Sequence, residues 1–125
     1  MMTLGELIDA IPNNDEQVFF GFCGAFPVLS FGSYRGFYER GAIDWTVRRR
    51  SDDNTNKPTP PTGRQLRAFL LSQLGTTMEG YKGGTYPVDR HTLVHVDGHG
   101  EYNNTPISSV EVLSYMTVIH TESDQ

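Results

Sequence analysis

Apolar residues at helical spacing open the chain. Leu4, Leu7, Ile8 and Ile11 recur at intervals of three and four, and Thr3-Leu4-Gly5-Glu6 has the form of a capping box. The spacing predicts a short amphipathic helix over residues 3–11, stopped by Pro12-Asn13-Asn14-Asp15. Val18-Phe19-Phe20-Gly21-Phe22 then reads as a short central strand. Residues 24–36 mix glycine, aromatics and one proline, an irregular excursion; residues 37–47 resume as strand or hairpin, with Gly41-Ala42 as a bend. Thr62-Gly63-Arg64-Gln65 repeats the capping signal and opens a helix through Leu74, with Leu66, Phe69, Leu70 and Leu74 as its apolar stripe and Gly75 just past its end. Thr92 to Asp97 reads as a strand, residues 98–101 as a turn and residues 102–107 as a short edge element. Val110 to His120 reads as the last and longest strand, apolar on both faces and therefore central or at a subunit interface. The sum is an α+β fold: a small antiparallel sheet with two short helices and long Gly/Pro-rich loops.

Composition narrows the class. A length of 125 residues fits one domain, residues 1–125, with a core able to fold without staples. Residues 51–63, with Pro58, Pro60 and Pro61 among polar neighbours, predict an exposed flexible loop rather than a domain boundary. No apolar run approaches the ~18 residues that span a bilayer, and the N-terminus lacks the basic and apolar regions of a signal peptide, so no membrane partner is expected. Cys23 is the only cysteine, which excludes an intrachain disulfide and suits a reducing cytosol. A net charge of −5 argues against general nucleic-acid binding, yet one pocket for a small anion needs only one or two cations. Arg48-Arg49-Arg50 is the only dense basic run; Ser51-Asp52-Asp53 follows at once, so it reads as a half-neutralised loop edge.

Catalytic and metal chemistry find little support. His95, Asp97 and His99 share a strand face only if the strand continues through Gly98, where a turn is the better expectation, and no second cluster has zinc-type spacing. No metal and no cofactor are therefore expected. Cys23 lacks any sequence link to a base and reads as a structural thiol. Gly80 to Gly84 lacks the spacing of a Walker loop.

Two clusters of rings, cations and glycines remain: Ser33-Tyr34-Arg35-Gly36-Phe37-Tyr38 and Gly80-Tyr81-Lys82-Gly83-Gly84-Thr85-Tyr86. The same residues also fit two loops whose rings pad the core and whose charges face water. In order and spacing, over roughly residues 3–50 and 64–97, the chain resembles small phage-encoded proteins that carry S-Y-R-G-[YF]-Y and G-Y-K-G-G-x-[YF], the Thoeris anti-defence sponge family. The resemblance implies capture, without cleavage, of a cyclic ADP-ribose-type or cyclic oligonucleotide immune signal in the cytoplasm of the infected bacterial host. It implies a homo-oligomer, dimer or hexamer, and no enzymatic activity. Residues 25–31 depart from the pattern as an insertion, and so does the long loop at 51–63.

The chemistry of capture matches the residues. Arg35 offers bidentate contact to phosphate and Lys82 a point charge. Tyr34, Tyr81 and Tyr86 offer faces for base stacking. Gly36 would permit close approach, the main-chain N–H groups of Gly83 and Gly84 could form an anion-binding concavity, and Thr85 and Asp97 could bond ribose hydroxyls. An alternative from another class is an anti-CRISPR-type inhibitor whose acidic surface, with Asp15-Glu16 and Asp52-Asp53, occupies a groove on a bacterial nuclease complex.

Overall fold

The computed structural model describes residues 1–22, 24–33, 40–47, 59–80, 83–97 and 105–122, and for Asp97 the backbone alone. Helix α1 (Leu4–Ala10) begins where the capping box places it: the Glu6 amide donates to Thr3 Oγ1 at 3.2 Å and the Thr3 amide to Glu6 Oε1 at 2.9 Å. Leu4, Leu7, Ile8 and Ile11 are all fully buried, as the spacing requires. Helix α2 (Gly63–Gln73) starts from the reciprocal pair Thr62 and Gln65. Its Leu66 and Leu70 are buried and its Phe69 and Leu74 half-buried against the same core. Gly75 follows with φ +87°.

Nine strands accompany the helices among the described residues: β1 (Gln17–Phe20), β2 (Phe26–Pro27), β3 (Gly32–Ser33), β4 (Gly41–Thr46), β5 (Thr77–Glu79), β6 (Thr85–Pro87), β7 (Val94–Asp97), β8 (Thr105–Val112) and β9 (Met116–Thr121). Seven of them form one mixed sheet in the order β1-β9-β8-β7-β4-β2, with β3 also on β4. Strands β1/β9 and β4/β7 pair in parallel, the other pairs antiparallel. The sheet is nearly a barrel, because its two ends meet: the Phe20 amide donates to Ala25 O at 2.8 Å, and the Phe19 and Phe26 rings stand edge to face at 6.4 Å. The protein is thus α+β, but its sheet is larger than a small antiparallel one, and mixed. Val18, Phe20, Ile43, Val94, Val96, Ile107 and Ile119 share one core with the two helices.

Four strand-level expectations change. First, β1 lies at an end of the sheet order, not at its centre. Second, Val110 to His120 is not one strand: the chain reverses at residues 113–115, where the Leu113 amide donates to Met116 O at 2.9 Å, and β8 pairs back on β9. The two-sided apolar pattern is accounted for by that hairpin, with β8 interior between β7 and β9, so it supplies no reason for a subunit interface. Residues 105–107, expected at an edge, belong to the same interior strand. Third, Gly41 is no bend. It opens β4, donates to Leu93 O at 2.8 Å, and lies under the Phe31 ring. Fourth, residues 26–33 are part of the sheet. Phe26 and Pro27 pair with Thr46 and Trp45, the Val28 amide donates to Asp44 O, and Gly32 and Ser33 pair with Ala42 and Gly41. Residues 29–31 bulge out opposite Ile43, and a proline suits such an outer strand because it spares the missing N–H.

The expected loop over residues 51–63 is overturned in its last part; residues 51–58 lie outside the described residues. Pro60 and Pro61 are buried, Val18 donates its amide to Pro61 O at 2.8 Å, and Thr62 bridges to Gln17. Two prolines hold the segment extended, so it covers β1 instead of hanging free. Gly63 is the tight point: a Cβ there would stand 2.3 Å from the Pro12 carbonyl oxygen, while its amide donates to Glu16 O at 2.9 Å. Backbone cannot swing aside as a side-chain tip can. Gly63→Ala is therefore expected to cost about 1–3 kcal/mol of stability in urea unfolding, whereas Gly24→Ala, with open space around its Cβ, is limited to the strain of its φ of +65°.

Candidate functional site

The two sequence clusters are carried on separate pieces of backbone, and their flanks meet. Ser33 closes β3 and Arg40 immediately precedes β4, so residues 34–39 are bracketed by two positions on the same edge of the sheet. Strands β5 and β6 form a hairpin of their own, with Glu79 opposite Thr85 and Met78 opposite Tyr86. Its tip is residues 80–84, closed by the Gly80 amide donating to Gly84 O at 2.6 Å. Gly83 has φ +77°, a left-handed conformation that a side chain would strain, so the reversal depends on glycine there.

Three hydrogen-bond contacts join the bracket to the hairpin. Ser33 Oγ donates to Glu79 O at 2.6 Å and lies 3.1 Å from Tyr86 Oη; Tyr86 Oη donates to Arg40 O at 3.2 Å. Proton accounting orders them. The short bond takes the serine proton, so the tyrosine proton is shared between Ser33 Oγ and the Arg40 carbonyl. Tyr86 itself is 7 % exposed. Its ring is therefore unsuited to base stacking; its role is to clasp the two segments together, because a buried phenol must find partners for its hydroxyl.

The other expected site residues divide. Gly83, Gly84 and Thr85 are exposed at the hairpin tip and the start of β6, available to a ligand. Tyr34, Arg35, Gly36, Tyr81 and Lys82 lie outside the described residues, as do Cys23, Arg48-Arg49-Arg50 and His99. Asp97 ends β7 in register with Asp44 of β4. Those two positions neighbour each other on the sheet, three residues along β4 from Gly41.

Sequence reasoning missed Arg40 and His95. Arg40 Nη1 lies 3.2 Å from His95 Nε2. A guanidinium can only donate, so Nε2 accepts, the imidazole is neutral, and its proton sits on Nδ1. Burial, then the Arg40 charge, push the His95 pKa below its ordinary 6.5, opposed by Glu122. Arg40 lies just beyond the Ser33–Tyr38 motif and carries no motif of its own, and the spacing of His95 with Asp97 and His99 bears on a metal set, not on an anion.

This depressed pKa fixes a pH dependence. The unfolded chain binds the His95 proton more readily than the folded one, so the contribution is fully present above pH 6.5 and is lost as the pH falls below it. The melting temperature is expected to drop between about pH 7.5 and about pH 5, and His95→Gln to flatten that limb. Glu6, held below its ordinary 4.5 by the Thr3 amide and hydroxyl, adds a separate loss only at more acid pH.

Two clefts among the described residues contain no residue of either cluster. One, about 290 Å³, lies between Phe26–Leu29, Thr46 and Thr59–Pro61, and no cation lines it. The other, about 390 Å³, holds Arg90 with Glu6 and Asp9. There the guanidinium is committed to Asp9 and to Gly5 O, and two carboxylates repel an anion. Neither suits a phosphate.

Comparison with protein-family models, with curated proteins and with solved structures finds no match.

Proposed function

We propose that the protein is a phage-encoded sponge: it binds a cyclic ADP-ribose-type or cyclic oligonucleotide signal and holds it unchanged, blocking antiphage defence in the host cytoplasm. One observation carries this reading. The Ser33–Glu79–Tyr86–Arg40 junction ties the segment that brackets Tyr34, Arg35 and Gly36 to the hairpin that bears Tyr81, Lys82, Gly83 and Gly84. Ser33 and Glu79, 46 positions apart, are joined by a bond of 2.6 Å, and this contact between the flanks of the two motifs supports the reading.

Division of labour follows from the chemistry. Arg35 and Lys82 hold phosphate, Tyr34 and Tyr81 stack a base at ~1–3 kcal/mol each, and Gly83 and Gly84 present main-chain N–H groups to the anion. Thr85 and Asp97 take ribose hydroxyls. Sequestration needs affinity and no general base, so the site works as a binding protein, not an enzyme. A dimer or hexamer would raise the number of sites per assembly without changing the chemistry of each.

Calorimetric titration with cyclic ADP-ribose isomers and with cyclic di- and trinucleotides tests the reading. Saturable heat with at least one of them is expected; no heat with any would remove it.

A further inference from the structure

We propose that Arg40, its guanidinium steered by His95, is a further phosphate-contacting cation at the junction of the two clusters, with the pyrophosphate of a nucleotide as the chemical class it takes. Its link to a nucleotide rests on the sponge reading; its capacity to hold a diphosphate anion does not.

The pairing of Arg40 is unusual in its charge balance. Arg64 and Arg90 each pair with a carboxylate, Asp15 and Asp9. Arg40 is exposed and, among the described residues, has no carboxylate partner; its side-chain contact is the neutral imidazole of His95. A carboxylate would orient the guanidinium and cancel its charge. A neutral acceptor orients it and leaves the full charge for an outside anion. One of five N–H donors is spent on His95, and the rest of the planar fork remains for bidentate contact.

Position agrees with this. The Arg40 main chain is anchored through its carbonyl to Tyr86, the residue that bonds Ser33 in turn. The Arg40 backbone therefore stands where the bracket of the first cluster meets the hairpin of the second, with its guanidinium at His95 of β7. His95, buried at 4 % exposure, is fixed in β7 and holds Nη1 from behind. Among the described residues, the charged groups acting on His95 are Arg40 and Glu122, which pull its titration in opposite directions. Protonated His95 could not accept from Arg40, which releases the fork from its orientation, while its charge would attract the anion; the affinity for an anion therefore depends on the protonation of this ring.

The test is titration of the full chain with inorganic pyrophosphate, alongside Arg40→Gln, Arg40→Lys, His95→Gln and, as a surface control, Arg67→Gln. Loss of one charge-assisted contact predicts about 10- to 100-fold weaker binding for Arg40→Gln, with a cooperative melting curve and partial retention in Arg40→Lys, which keeps the charge without the fork. The Arg67 variant should match the parent. Between parent and His95→Gln, the change of affinity with pH should differ, a comparison in which the probe's own titration cancels. Equal affinity in Arg40→Gln, or no pyrophosphate binding by the parent, overturns the proposal. If Arg40→Gln does not fold, equal affinity in Arg40→Lys and the parent, with no acid difference in His95→Gln, overturns it. Parallel titrations with cyclic ADP-ribose isomers and with cyclic di- and trinucleotides keep the two ideas apart: Arg40-dependent pyrophosphate binding without binding of any of these nucleotides supports the anion site and removes the sponge reading, while nucleotide binding indifferent to Arg40→Gln does the reverse.

Discussion

Phe26→Ala should lower folding stability by about 3–5 kcal/mol, read as a shift in the urea midpoint at constant slope. Phe26 is 1 % exposed, sits in the outermost strand on β4, and meets the Phe19 ring edge to face. It closes the gap where the two ends of the sheet approach, and no neighbouring side chain can fill the volume of a lost ring. In the insertion view of residues 25–31 the same change would be nearly neutral, since an appended loop can be trimmed without opening the core. The size of the effect therefore decides whether that segment is structure or ornament. A loss under about 1 kcal/mol, the usual range for a surface position, would return it to the status of an insertion.

The second large effect concerns binding. Arg35→Ala and Lys82→Ala should each weaken the captured nucleotide by about 1–3 kcal/mol. Strict additivity would put the pair at about 2–6 kcal/mol, roughly 30-fold to more than 10,000-fold in Kd. Calorimetry on the parent, both single variants and the pair closes a double-mutant cycle. Two cations on one anionic group leave the sum non-additive by 0.5 kcal/mol or more, whereas independent surface charges add within a few tenths. Melting temperatures should stay close to the parent's, because the clasp at Ser33 and Tyr86 is untouched. A variant that fails to fold would make its cluster part of the core rather than part of a site.

Some of this architecture is legible in the residues. Thr3 with Glu6, and Thr62 with Gln65, are local signals, complete within four positions, and both helices begin where they say. The reversal at 113–115 is hidden for the opposite reason. Leu113-Ser114-Tyr115 holds no glycine or proline, so nothing in the strand-like pattern marks the turn. The parallel pairing of β1 with β9 joins Gln17 to Met116 and is non-local by nature; no window of sequence contains both partners. Pro60 and Pro61 misled in another way, since proline marks a loop by habit yet here lies buried beside Val18.

The site divides along the same line. The two motifs announce the residue types for an anion, and Gly83 has the positive φ that a glycine at a loop tip suggests. Tyr86 belongs to its motif by name but not by role, because burial depends on what lies across the fold, and that partner is Ser33. Arg40 and His95 are 55 positions apart, and only the parallel register that sets Ala42 beside His95 brings them into reach.

Capture without chemistry is the point on which the account stands, and mass spectrometry of released small molecules tests it most directly. Protein incubated with a cyclic ADP-ribose isomer, freed of excess and then heated should release that isomer at its original mass, in an amount near one per site. Release of a hydrolysed or linearised product, or of nothing at all across the cyclic nucleotides tried, would contradict it.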